Sequence, residues 1–115
     1  MPYHEETLRK LAIRDDAYVD SLVMDDHANL VESSLDEKTH SLVRLGALVA
    51  IDASPPSYME VIRLARGCGA SDDEIVGTLI AAMPAVGAAR VVSAAPKLAL
   101  ALGYDVGAAL ERHDP

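Results

Sequence analysis

Apolar residues recur near a helical period along most of this chain, and short polar or Gly/Pro segments punctuate them. Leu8, Leu11, Ala12, Val19, Leu22 and Val23 stand among Arg9, Lys10, Arg14, Asp15, Asp16 and Asp20, which predicts an amphipathic surface helix over Thr7–Val23. Met24–Ser34 reads as a connector with about one helical turn. Ser34 and Glu37 have capping-box spacing, so the next helix is expected to start there. Its continuation, Leu42–Ile51, carries Arg44 as its one charge and reads as a helix enclosed nearly all round.

Pro55 and Pro56 end that helix, and Ser54 can cap a new one with Pro55 at its first position. Tyr58–Arg66 continues it until Gly67-Cys68-Gly69. Ser71-Asp72-Asp73-Glu74 is a second capping box, directly ahead of the apolar run Ile75–Met83. Pro84 and Gly87 interrupt the run. Ala88–Leu102 resumes it, with a kink expected at Pro96 and a stop at Gly103. A short terminal helix is expected after Asp105. The pattern predicts an all-α fold of five or six helices in a single domain spanning residues 1–115.

Composition supports helices and removes several partner classes. Phe and Trp are absent and there are 19 alanines against 7 glycines, so the core must be built from small and branched aliphatics packed closely. The net charge is −8, and residues 1–40 hold ten acids against four bases. A surface this acidic, without a basic stripe, repels phosphate backbones and anionic head groups, so neither nucleic acid nor membrane is an expected partner. The opening residues lack a basic segment followed by an apolar one, and the single cysteine, Cys68, can form no internal disulfide. Both point to a cytoplasmic location.

Leu35-Asp36-Glu37-Lys38-Thr39, an apolar helix, a break, Gly69-Ala70-Ser71-Asp72-Asp73-Glu74-Ile75 and then Gly87-Ala88-Ala89-Arg90 follow one another in an order that resembles the carboxymuconolactone decarboxylase and alkylhydroperoxidase-D-like family. The resemblance covers residues 35–102 and implies that family's helical bundle, assembled as a trimer or a hexamer of trimers. It also implies a small carboxylated or lactone-type ligand and a lyase or decarboxylase chemistry that needs no cofactor. Departures fall at the reactive positions. Where the peroxidase branch has its Cys-x-x-Cys pair this chain has Ser54 and Ser57, or Ala53 and Pro56 in the neighbouring register. The family's histidine falls at Val61 or a neighbour, and its helical glutamate at Ser41 when Leu42-Val43 is aligned with the family's Leu-Ile. Without a thiol pair the peroxidase reaction is chemically closed to this chain.

The break between the two central helices is where chemistry is expected. Asp52 sits at the unfavourable end of a helix dipole and needs a cation, for which Arg44, Arg63 and Arg90 are candidates; alternatively it serves as a proton-transfer group in a pocket, with Glu60 as a second such group. By the resemblance, Ser54, Ser57 and Tyr58 occupy substrate-binding positions at a helix N-terminus suited to an anion. Arg90 lies in an otherwise apolar helix and either pairs with an acid such as Glu60 or binds a substrate carboxylate. Cys68 reads as structural, since no base is near it in sequence. Asp25, Asp26, His27 and Glu32 match no metal-loop spacing and read as a solvated connector, so no metal site is expected. The alternative to catalysis is a family member that has become a binding or assembly subunit. Small side chains at 81, 82, 85, 87, 88 and 89, beside long uncharged helices, support a homo-oligomer.

Overall fold

The computed structural model describes residues 2–104, which form seven helices and no strand: α1 (Tyr3–Ala12), α2 (Asp16–Met24), α3 (Asp26–Ser33), α4 (Glu37–Ala50), α5 (Pro55–Gly67), α6 (Asp72–Val86) and α7 (Ala88–Leu102). The expected terminal helix after Asp105 lies outside the described residues. None of the seven is long and apolar enough to cross a membrane. The chain divides into two compact units, Met1–Asp36 and Glu37–Pro115.

In the first unit the single helix expected over Thr7–Val23 is two. Arg14 adopts a left-handed conformation (φ 52°), and the amides of Arg14 and Asp15 donate back to the carbonyls of Leu11 and Lys10. That is a Schellman stop, with an arginine where glycine is usual. Asp15 then caps α2 through its carboxylate and the amide of Tyr18. The expected connector is also helical. Asp25 caps α3 by accepting from the amides of His27 and Ala28, so the acidic residues read as a solvated link start a helix instead. Ser34 does not open the next helix: it is the left-handed residue that ends α3, and α4 begins at Glu37. These two splits account for seven helices rather than five or six.

None of the residues of α1, α2 or α3 is fully buried. Val19, Leu22 and Leu30 are half-buried, and polar side chains add to this partial packing. Glu32 Oε2 accepts from the hydroxyls of Tyr3 (2.8 Å) and Tyr18 (2.9 Å), the one Tyr3 proton being shared with the Glu32 carbonyl at 2.6 Å. The Lys10 ammonium lies 4.9 Å above the Tyr18 ring, and Asn29 donates to the Leu22 carbonyl.

The second unit is built on a core. Within it α5 packs on α4 and α7, and α6 packs on the same two helices. Leu45, Val49, Tyr58, Ile62 and Ile75 are its largest fully buried side chains, joined by Val61, Leu79, Val91 and Leu98. Alanines at 65, 70 and 94 are buried too, and Gly46 of α4 faces Thr78 of α6, whose methyl would make ordinary contact at 3.8 Å with an added Cβ. The expected capping box of α6 is formed in full: Ser71 Oγ accepts from the Glu74 amide and Glu74 Oε1 from the Ser71 amide, both at 3.0 Å. Glu74 reaches on to Lys38 of α4 at 3.0 Å. Gly87 (φ 88°) closes α6 and Gly103 (φ 89°) closes α7, as the sequence pattern predicts. Enclosure of α4 and α6 is incomplete within one chain: Val43, Ile51 and Ile80 are exposed.

Candidate functional site

Asp52 is placed by the way α4 ends. Its amide donates to Val49 and the Ala53 amide to Leu48, a second Schellman stop in which Asp52 (φ 53°) takes the left-handed position. Aspartate tolerates this conformation better than branched residues do. The turn projects its carboxylate toward α7. Oδ1 accepts from Ser93 Oγ at 2.8 Å and from Lys97 Nζ at 3.2 Å, while Arg90 stands 3.6 Å from Oδ2. Arg90, Ser93 and Lys97 are spaced three and four apart, so one face of α7 presents all three. Lys97 is three-quarters buried and also donates to the Ala53 carbonyl at 2.9 Å, tying both sides of the turn to α7.

This cluster offsets the cost of an acid at a helix C-terminus. The Ser93 hydroxyl, foremost, and the Lys97 ammonium hold the Asp52 carboxyl below its ordinary range, with Arg90 adding less. Asp52 is therefore an anion at neutral pH and a poor proton donor. Of the three arginines weighed as its partner the structure supplies Arg90; Ser93 and Lys97 were missed. Their spacing from Arg90 is legible in the sequence, but nothing there says which turn they face.

The other candidate residues separate. Glu60 pairs with Arg63 one turn along α5 at 2.8 Å, with both side chains well exposed. Ser54 takes the cap position of α5, yet its hydroxyl makes no cap hydrogen bond. The reason is local. Pro55 and Pro56 have no amide hydrogen, and the Ser57 amide donates to the Ser54 carbonyl at 3.1 Å. The same two prolines take away donors that would make this helix N-terminus an anion site. Ser57 is half-buried, and Tyr58 is fully buried with its hydroxyl lacking a partner among the described residues. Burial first, and the Asp52 charge second, push the Tyr58 phenol above its ordinary pKa.

Cys68 donates to Glu37 Oε2 at 3.7 Å, and burial followed by that carboxylate raises its pKa, the opposite of an activated thiol. Among the described residues no group of three or more His, Cys, Asp or Glu is arranged to hold a metal ion. No family model matches the chain, and neither a curated protein nor a solved structure matches it.

Proposed function

We propose that this chain is a carboxymuconolactone decarboxylase-like subunit that serves assembly and binding rather than turnover. One observation carries the reading: α4, α6 and α7 keep large apolar side chains on their outer faces, with Val43 58%, Ile51 70%, Ile80 66% and Val92 69% exposed. Side chains of this kind on several helices of one small unit fit a surface that copies of the chain cover for one another. The trimer-based stoichiometry comes from the family resemblance. Catalysis has less support, because Asp52 is held by α7 and Glu60 by Arg63. Replacing Val43 and Ile51 together by lysine tests the proposal. The double variant should stay helical by circular dichroism and elute as a smaller species than the parent. An unchanged elution volume would contradict the assembly surface.

A second reading rests on Arg90. Its guanidinium is half exposed and lies at a loose 3.6 Å from Asp52, which leaves donors for a small carboxylate. Conversion of a muconolactone-type substrate, abolished in Arg90→Ala, would favour this enzyme reading; no conversion by the parent protein would leave the assembly reading alone.

A further inference from the structure

The outer side of α5 and α7 holds a cleft of about 360 Å³ lined by Met59, Ile62, Arg63, Arg66, Leu100 and Ala101. That volume suits a small molecule and is at the low end for ligand pockets. Ile62 is nearly fully buried, whereas Met59 and Leu100 are 61% and 66% exposed. The lining thus combines apolar surface with two guanidinium groups, each paired with an acid outside the lining.

Both guanidinium groups are oriented by acids that do not line the cleft. Glu60 takes Arg63 Nη2 at 2.8 Å. Asp72 takes Arg66 through Nε and Nη2, each at 3.0 Å, and the Leu102 carbonyl accepts from the same Nη2 at 3.1 Å. These bonds use Nε and Nη2, so Nη1 of each group stands outside them. An arginine fork held on one edge leaves its other edge as a donor, and Arg66, with three bonds to Asp72 and the Leu102 carbonyl, is the better oriented of the two.

We propose that this cleft binds a small amphipathic carboxylate, with its apolar body against Ile62, Met59 and Leu100 and its head group on Arg63 and Arg66. The apolar floor disfavours a bare inorganic anion. The planar donors match a carboxylate. The chain's overall charge of −8 opposes anion approach at long range, but that field is screened beyond about 8 Å at physiological salt while the arginine contacts are local.

Octanoate and 1-octanol, titrated separately into the full chain, test the proposal by methyl NMR shifts at Met59, Ile62 and Leu100. Octanoate should saturate these shifts at one molecule per subunit, and octanol, which has the same apolar body and no charge, should bind at least about tenfold more weakly. Arg63→Gln should weaken octanoate by about tenfold. Leu100→Asp, a change at an exposed position that places a negative charge in the cleft, should abolish saturation. Equal affinity for acid and alcohol, shifts that never saturate, or binding indifferent to both substitutions would overturn it. Val43 and Ile51, on and just after α4, do not line the cleft, so the assembly proposal can fail while this one stands, or the reverse.

Discussion

The two units of this chain are both helical but are held together by different balances of forces. Residues 1–36 carry nine acids and three bases, bury no residue of their helices fully, and combine half-buried Val19, Leu22 and Leu30 with caps and a Glu32 carboxylate shared by two tyrosines. Residues 37–104 balance six acids with six bases around an aliphatic core in which Tyr58 is the largest fully buried side chain. A hydrogen bond replaces one already made to water and stabilises by about 1 kcal/mol net, whereas a fully buried Leu or Ile contributes about 1.5–3 kcal/mol. Helix content thus says little about which unit is the stable one; burial does. The second unit should carry most of the stability, and the first should open at lower cost.

The largest effect expected from this contrast is a core truncation. Leu45→Ala removes a side chain with no exposure and should destabilise the chain by about 2–5 kcal/mol, whereas Val31→Ala in α3, at a residue 60% exposed, should change stability by less than about 0.5 kcal/mol. Urea melts of the two variants decide it, and comparable losses would erase the distinction between the units. Next in size is the cap of α6. Ser71→Ala should cost about 0.5–2 kcal/mol and Glu74→Ala less, with the double variant losing less than the sum because each side chain supports the other's hydrogen bond. Additive losses would mean that the two groups act independently.

Acid should separate the units without mutation. The hydroxyls of Tyr3 and Tyr18 hold the Glu32 carboxyl below its ordinary 4.5, and Ser93 with Lys97 does the same for Asp52 below 3.8. A carboxyl with a depressed folded-state pKa stabilises the fold above its unfolded value and loses that contribution as pH falls through the folded one. As pH falls below 4.5 and on through the lower folded-state value, the first unit therefore loses the Glu32 contribution while the second retains its core. Amide signals of α1–α3 should broaden or exchange before those of α4–α7, and Glu32→Gln should remove that acid step. Simultaneous loss of both sets would contradict the contrast. The smallest effect belongs to Tyr58→Phe. Removing a buried hydroxyl with no partner among the described residues should leave stability within about 1 kcal/mol of the parent, in the stabilising direction. A marked loss in a thermal melt would reveal a partner for the phenol.

What the sequence made legible follows from local chemistry. Ser71-Asp72-Asp73-Glu74 was readable because a capping box is complete within four residues, and Gly69 and Gly103 because glycine advertises a left-handed stop. The stops at Arg14 and Asp52 use the same backbone pattern without glycine, and so the first helix was read through its break. Ser34 shows the converse. It has the spacing of a cap, yet the chain spends it on ending α3. At the candidate site, the need of Asp52 for a cation was readable from the helix dipole, and Arg90 was among the partners weighed. That Lys97 and Ser93 share the task depends on how α7 crosses the end of α4, which is tertiary information. The double proline after Ser54 predicts a helix start, and α5 starts there; its second effect, removal of the amides an anion would need, follows from the same residues.

Sedimentation equilibrium of the unaltered chain at micromolar concentration tests the central proposal most directly. Assembly through the exposed apolar faces of α4, α6 and α7 predicts a species of three or six times the 12.2 kDa subunit mass. A species of one subunit mass would contradict it.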